Sequence, residues 1–431
     1  MINKNQYGLT KNSFFELTEM LLVKDPKNII MQIQDWKKLQ SIILEKIMEL
    51  YSEKKTSKIG VFNSLHRAID SIVWNLVNKE IADIRRLYID PPTTKNPVFH
   101  NIYFHKEIAE LINTNQESIG IISDITSGVD LGDVVFFSVA SGLFQPFECK
   151  EGEINKIITD AIKLKRKGDV KLYGEIMSDK NSKKAKQLAR CERQFTKIEL
   201  EMEKYINGGN EYVSNEYGII LKDTREIEYY NIDVQECIID AIKNNFSKKD
   251  IPGGVRIIAL KNELINRDLS LDFFKKHVEG FCDVEYITVY DLKEYLFGTN
   301  FSMPLYIQDI SLEEKWVLYS GEVTVYIIFS LLKFSELLEK EGFHCQLIKG
   351  RNLQKEIHSS TRSYPPCVIG KSMLRFSIDD SMIQEFAQGK IYRLIGQFET
   401  PLSIIDMIKK TTLSFAKDMI KKILVNFRPP V

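Results

Sequence analysis

Three short apolar runs lie close together between residues 118 and 150, and they constrain the fold more than any other feature of the sequence. They read SIGIISDI, GDVVFFSVA and LFQPFECKEG, and Gly and Ser residues separate them. Short runs that are rich in Val, Ile and Phe are typical of β-strands. Apolar residues at spacings of three and four predict a helix before them, at VFHNIYFHKEIAELINTN, and another after them, at 181–206. The order predicts a helix, three strands and a helix.

The rest of the chain divides around this segment. Two long runs with helical spacing precede it, and the stretch DPPTTKNP interrupts that pattern because consecutive prolines cannot continue a helix. The runs EYGIILKD and REIEYYNI predict one or two further strands, and alternating helical and strand patterns resume from about Asp233. We predict an α/β protein with a helical N-terminal region (1–95), an α-β-β-β-α-β mixed-sheet domain (96–232) and a C-terminal α/β domain (233–431).

Composition excludes some classes of protein. Lys plus Arg and Asp plus Glu both number 59, so any surface that binds a polyanion must be local. The six cysteines stand singly, with no C-x-x-C pair, and the N-terminus lacks an apolar signal core. We therefore expect a reduced, cytoplasmic protein. The most apolar run, VTVYIIFSLL, is too short to span a membrane and predicts a buried element, so no membrane partner is expected.

The end of the third predicted strand carries the residues with the most chemistry. Glu148 and Lys150 are two residues apart, so on a strand their side chains project to the same face. Asp133 stands at the start of the preceding strand, and a hairpin would bring it near Glu148. Two carboxylates that meet there suit a hard cation such as Mg²⁺. The alternative is an ordinary surface ion pair, worth about 0–1 kcal/mol.

The order of these elements, with G-D at a strand start and E-x-K at the end of the next strand, resembles the PD-(D/E)XK nuclease superfamily over about residues 98–232. The resemblance implies a restriction-endonuclease-like core. It implies that Asp133, Glu148 and the backbone carbonyl of Cys149 hold Mg²⁺ or Mn²⁺, and that Lys150 orients or helps to deprotonate the attacking water. Gly132 stands where the family pattern has a proline.

The two flanking helices supply further candidates. Members of the superfamily often add a glutamate from the first helix, and Glu107 and Glu110 compete for this role. We prefer Glu107 because it borders the predicted apolar stripe, which consists of Phe104, Ile108, Leu111 and Ile112. His100 and His105 lack a partner at metal-ligand spacing, so we expect core or surface positions for both. In the second helix the resemblance favours Gln187 beside the site, and the candidate nucleic-acid contacts are Lys183, Lys186, Arg190 and Gln194.

The sequence thus predicts a metal-dependent nuclease that hydrolyses phosphodiester bonds of DNA or of RNA, with DNA as the preferred substrate class. By analogy with stand-alone nucleases that carry an extra domain, it would act in bacterial restriction or anti-phage defence. The C-terminal domain would supply target recognition, dimerisation or contact with a protein partner. The alternative is a catalytically inactive nuclease-fold scaffold that binds nucleic acid or a protein.

Overall fold

The computed structural model describes residues 9–23, 29–52, 59–79, 83–84, 87, 102–127, 129, 133–147, 153–207, 227–262, 276–278, 280–298, 302–358, 366–378 and 383–412. Within these residues the protein is a mixed α/β structure with many helices and three small sheets. The predicted α/β class is confirmed at this level. All pairings between the described strands are antiparallel. The predicted mixed sheet, which needs at least one parallel pairing, is therefore not found among these strands.

The N-terminal region is helical, as predicted. It contains α1 (Lys11–Leu21), α2 (Ile29–Ser52) and α3 (Ile59–Leu76). Each helix buries an apolar stripe, and Phe14 of α1 packs against the rings of Tyr319 and Tyr306 at centroid distances of 4.5 and 5.4 Å. Those tyrosines belong to the C-terminal part of the chain. One continuous hydrophobic core therefore runs from α1 to Ile408.

The first sheet is a meander of β1 (Ser118–Ile122), β2 (Val134–Ser138) and β3 (Leu143–Phe147), in that spatial order. Helix α4 (Ile102–Asn113) precedes it and packs on β1. The predicted helix, the three strands and the hairpin between the second and third of them are confirmed. The predicted stripe of α4 is wrong in one position, because Leu111 is exposed and the buried positions are Ile102, His105 and Ala109.

Side chains from two helices occupy the outer edge of β1. The amide of Gln40, on α2, donates to the carbonyl of Gly120 at 2.7 Å and accepts from the N–H of Ile122 at 3.4 Å. Asn113 of α4 accepts from the N–H of Gly120 at 2.9 Å. Polar groups of an edge strand need such partners once they are buried. A fourth strand could pair along these residues of β1 only by displacing both side chains.

Helix α4 approaches β1 closely at one glycine. A Cβ atom on Gly120 would lie 3.0 Å from Cα and 3.2 Å from the carbonyl oxygen of Ala109. We expect Gly120→Ala to push α4 away from the sheet and to lower the free energy of unfolding by about 1–3 kcal/mol, as measured by urea denaturation. Gly174→Ala is the matched control because that site opens to solvent and alanine favours a helix by about 0.5–1 kcal/mol. Equal stabilities of the two variants would contradict this account.

Three helices follow the meander: α5 (Glu153–Arg166), α6 (Lys171–Met177) and α7 (Lys183–Asn207). The helix predicted at 181–206 is confirmed as α7, and its stripe residues Leu188 and Cys191 are buried. The sequence interpretation missed α5 and α6. Together the three helices enclose a small core of their own, which includes Ile158, Ala161 and Ile162 from α5.

The strands predicted after α7 have two outcomes. The run EYGIILKD lies outside the described residues. The end of REIEYYNI does not join the first sheet: Tyr229 forms a bridge with Glu399, and the N–H of Tyr230 donates to the carbonyl of Phe398 at 2.7 Å. The chain then enters α8 (Asn231–Asn244). This short extended segment therefore packs with the C-terminal part of the protein.

The C-terminal part alternates strands and helices, as predicted. Its larger sheet has the order β4-β5-β7-β6, and its smaller one has the order β10-β9-β8. The run VTVYIIFSLL is confirmed as a buried element, because it forms the central strand β7 and the start of α11. The elements in chain order are β4 (Phe246–Ile251), β5 (Val255–Lys261), β6 (Ile287–Asp291), α9 (Leu292–Gly298), α10 (Leu312–Ser320), β7 (Val323–Ser330), α11 (Leu331–Lys340), β8 (His344–Lys349), α12 (Gly350–Ile357), β9 (Ser372–Ser377), β10 (Gln384–Glu385) and α13 (Gln388–Gly396), and residues 401–412 are again helical.

A buried lysine of α10 makes stability depend on pH. Lys315 is 2% exposed, and its ammonium donates to the carbonyl of Tyr306 at 3.0 Å. Burial, helped by the nearby charge of Lys79 and opposed by Asp309, lowers the pKa of Lys315 to about 7. Since its ordinary value is 10.5, the unfolded chain binds more protons than the folded protein between pH 7 and 10.5. The free energy of unfolding contributed by Lys315 therefore rises with pH across this window.

The variant Lys315→Met tests this dependence. Between pH 7 and pH 9, the wild type should gain about 2 kcal/mol of unfolding free energy relative to the variant, since one pKa unit corresponds to about 1.4 kcal/mol. Urea denaturation at the two pH values measures the difference. Parallel pH profiles for the two proteins would show that the Lys315 ammonium is not desolvated in the folded state.

Candidate functional site

The candidate site lies where β1 ends, β2 begins and β3 ends. Val134 stands opposite Ile122 on one side and opposite Phe147 on the other. The residue before it, Asp133, is held by its backbone on both sides: its carbonyl accepts from the N–H of Ser123 at 3.0 Å, and its N–H donates to the carbonyl of Phe147 at 2.9 Å. The meander thus places Asp133 beside the residue that directly precedes Glu148 in the sequence.

A histidine from α4 completes the described part of this site. His105 is buried, and its Nδ1 lies 3.0 Å from Oδ2 of Asp124, in the turn that follows β1. Its Nε2 lies 4.0 Å from Oδ2 of Asp133. The close approach of Ala109 to Gly120 fixes this position, because His105 is one helical turn before Ala109. With Nδ1 facing Asp124, the other ring nitrogen, Nε2, faces Asp133.

This arrangement places two potential ligands within reach of one metal ion. Histidines that bind metals donate their second ring N–H to a carboxylate or carbonyl, and Nδ1 of His105 lies at hydrogen-bond distance from Asp124. Two ligands that each lie about 2.1 Å from one octahedral ion are about 3.0 Å apart when they are neighbours and about 4.2 Å apart when they are opposite, and the separation of 4.0 Å between His105 and Asp133 is close to the second value. The Asp133 side chain is 28% exposed, so an ion could reach it from solvent.

The described residues do not contain a complete metal site. No group of three or more His, Cys, Asp or Glu residues among them is arranged to hold an ion. The predicted site residues Glu148, Cys149 and Lys150 lie outside the described residues. The test of the predicted two-carboxylate site is therefore limited to Asp133, which the meander delivers to the expected place.

The structure does not bring the predicted glutamate of α4 to Asp133. Glu107 is two residues after His105, a rotation of about 200° around the helix, and its side chain is exposed. The competing residue Glu110 is exposed as well, and its carboxylate lies 3.7 Å from the ammonium of Lys106. On this helix the side chain that faces Asp133 is His105.

The predicted residues of α7 form part of a basic helical surface. The amide of Gln187 donates to Oδ1 of Asn155 on α5 at 3.1 Å, which ties the two helices together. Lys183, Lys186 and Arg190 are exposed, as phosphate contacts require, and Gln194 lies on α7 with its side chain outside the described part of the structure. Residues 153–207 carry fourteen lysines and arginines against nine acids. We call residues 153–207 the basic helical unit.

The sequence interpretation missed His105 and Asp124. Two signals were present: His105 falls in register with the buried Ile102 and Ala109, and Asp124 directly follows a strand. Neither signal gives a metal-ligand spacing, because the contact joins a helix to a turn 19 residues away.

Comparisons of the chain with protein-family models, curated proteins and solved structures find no match. In the part of the chain that the structure describes, none of the helices combines the length and the apolar character needed to cross a membrane.

Proposed function

We propose that the protein is a metal-dependent nuclease that cleaves phosphodiester bonds of nucleic acid, DNA in preference to RNA. The observation that carries the proposal is the pairing of Asp133 with His105 at the strand ends that lead into Glu148 and Lys150. Asp124 supports it by orienting the imidazole. The basic helical unit, which directly follows these residues in the chain and packs against β3, supplies positive charge for a polyanion.

Each residue has a separate task in this proposal. Asp133 and His105 would hold a divalent cation between them, and Glu148 would complete the ligand set. The bound cation would polarise the scissile phosphate and lower the pKa of a water. Lys150 holds that water by hydrogen bonding and stabilises charge that develops on the phosphate oxygens. Because imidazole is a softer ligand than carboxylate, a site that contains His105 should work with Mn²⁺ at least as well as with Mg²⁺.

The decisive experiment is a cleavage assay with linear, circular and single-stranded DNA and with RNA. Each substrate is incubated with Mg²⁺, with Mn²⁺ and with a chelator. The variants Asp133→Asn, Glu148→Gln and Lys150→Met keep side-chain size while they remove ligand charge or the ammonium. We expect cleavage that the chelator abolishes and each variant reduces at least about 100-fold. No cleavage under any condition, with nucleic-acid binding unaffected by the three variants, would favour the inactive scaffold instead.

Arg190 tests the role of the basic helical unit. If its exposed guanidinium contacts a phosphate, Arg190→Ala should weaken binding to all sequences and reduce the slope of log affinity against log salt by about 0.9. Fluorescence anisotropy at several salt concentrations measures this slope. Arg351→Ala is the matched control, because Arg351 is an exposed arginine of α12, outside the unit. An unchanged slope for Arg190→Ala would show that nucleic acid does not contact this face of α7.

A further inference from the structure

A buried ion pair on α3 links the candidate site to the C-terminal part of the chain. Nη1 of Arg67 lies 3.0 Å from Oδ2 of Asp70, and both side chains are only 1% exposed. Buried charges of this kind need further hydrogen bonds to offset their loss of water. Arg67 and Asp70 both have such bonds. They share Ser127, whose Oγ lies 3.5 Å from Nη1 of Arg67, and their other partners lie in different parts of the chain.

Arg67 binds the C-terminal part. Its Nε donates to the carbonyl of Leu296 at 3.0 Å, and its Nη2 donates to Oγ of Ser302 at 3.0 Å and to the carbonyl of Ser302. Leu296 lies in α9, and Ser302 is also completely buried. The planar guanidinium therefore holds two backbone segments, which a lysine ammonium cannot match in geometry.

Asp70 binds the segment that carries Asp124. Oδ1 of Asp70 accepts from the N–H of Ser127 at 2.9 Å, and Oδ2 accepts from the Ser127 hydroxyl. The N–H of Thr126 in turn donates to the carbonyl of Ser123 at 3.0 Å, which closes the turn around Asp124. Asp70 thus fixes the turn whose aspartate orients His105.

His66, on the same helix, adds an independent observation. Its Nε2 atom is buried and has no hydrogen-bond partner among the residues that the structure describes. Burial lowers the pKa of His66, and the charges of Asp70 and Asp124 together with a hydrogen bond to the backbone of Thr126 oppose this shift. A buried polar atom without a partner is costly and calls for an explanation. Its place beside the Asp70 and Asp124 carboxylates shows that α3 packs directly behind the candidate site.

We propose that Asp70 and Arg67 are positioning residues, which set the geometry of Asp124 and His105 and make it depend on the C-terminal part of the chain. Arg67 aligns Asp70 through its contacts with Leu296 and Ser302, and Asp70 holds Ser127. A change at α9 therefore reaches the imidazole through four hydrogen-bonded contacts, which join α9 to Arg67, Arg67 to Asp70, Asp70 to Ser127 and Asp124 to His105. The structural linkage does not depend on the proposed function. The effect on metal binding does depend on it.

Hydrogen exchange of the full chain, followed by mass spectrometry, tests the linkage without any metal. Arg67→Lys keeps the charge but loses the forked contacts, and it should speed exchange in peptides that cover residues 118–127 by about tenfold. The matched control is Arg256→Lys, because Arg256 is a buried arginine of β5 that makes a forked contact with Asp250 and, within the described residues, no hydrogen bond to Arg67, Leu296 or Ser302. Ser302→Ala is a milder substitution that replaces Arg67→Lys if the latter does not fold. The proposal would be overturned if the control variant changed the exchange rate of residues 118–127 as much as Arg67→Lys does. It would also be overturned if neither variant changed that rate.

Mn²⁺ binding, measured by calorimetry, tests the positioning role. Arg67→Lys and Ser127→Ala should weaken binding about 10- to 100-fold, as the loss of supporting contacts around metal ligands does. Ser127→Thr, which keeps the hydroxyl, should restore it. Faster exchange with unchanged Mn²⁺ affinity would limit Arg67 and Asp70 to a purely structural role and overturn the proposal. If the wild type neither binds Mn²⁺ nor cleaves nucleic acid, the proposed function fails, and the positioning role fails with it. The hydrogen-exchange experiment still decides whether the turn around Asp124 is linked to the C-terminal part of the chain.

Discussion

Replacing His105 with alanine should reduce metal-dependent cleavage by about 100-fold or more, because the substitution removes one of the two described ligands of the proposed metal site. The effect should appear as weaker Mn²⁺ binding together with a lower single-turnover rate at saturating substrate. Thermal unfolding of the variant in the absence of metal shows whether the loss reflects folding. The buried position of His105 agrees with the core position that the sequence interpretation allowed, whereas its role as a ligand is a proposal that spacing alone gave no reason to make.

Two neighbouring variants make this prediction a graded series. Asp124→Asn keeps the shape of the side chain but weakens its hold on Nδ1 of His105, so we expect a loss of about 10- to 100-fold. Glu107→Ala removes the glutamate that sequence reasoning preferred, and its effect should be within about twofold because the side chain is exposed and faces away from Asp133. Cleavage assays at matched Mn²⁺ concentrations order the three variants.

The reverse order would contradict the site. If Glu107→Ala abolishes cleavage and His105→Ala does not, the ion lies on the other side of α4. If all three variants retain Mn²⁺ affinity and rate, the contact between His105 and Asp124 only stabilises the helix, and His105 leaves the proposed ligand set.

The sequence predicted the meander well because its information is local. Each strand is a short run of Val, Ile and Phe bounded by Gly or Ser, and the loop that joins β2 to β3 leaves no alternative to an antiparallel hairpin. Asp133 could therefore be placed at a strand start from the sequence alone. The stripe of α7 was equally readable, since Leu188 and Cys191 recur at helical spacing.

Contacts between distant parts of the chain could not be predicted in this way. The role of His105 depends on how closely α4 approaches β1, which is set by the missing side chain of Gly120. The edge of β1 depends on Gln40, a polar residue of α2 that is buried because both ends of its amide bind backbone groups. A single sequence gives no signal that pairs a glutamine of one helix with a strand 80 residues later.

The segment around Tyr229 shows the same limit for strands. Its composition predicted a strand correctly in part, but the partner was not the preceding sheet. Its backbone bonds instead to residues 398–400, about 170 positions away. A strand propensity describes one residue run, whereas pairing is a property of two runs. Consequently the sequence could give the type of this element but not the part of the fold to which it belongs.

Replacing Arg67 with methionine should lower the free energy of unfolding by about 3–5 kcal/mol, the cost of breaking a buried ion pair by removing one partner. The side chain of methionine fills much of the space but leaves the carboxylate of Asp70 without its cation and the carbonyls of Leu296 and Ser302 without their donor. Urea denaturation followed by tryptophan fluorescence measures the loss, and Trp74 on the same helix reports on this region.

The double variant Arg67→Met with Asp70→Leu separates charge from packing. Removing both charges should cost less than the sum of the two single substitutions, because no unpaired ion then remains in the core. Arg351→Met, at an exposed position, is the control and should change the free energy of unfolding by less than about 0.5 kcal/mol. If the loss of unfolding free energy in the double variant equals the sum of the two single losses, Arg67 and Asp70 are stabilised independently by their backbone partners. In that case α3 joins the two parts of the protein without a contribution from the ion pair.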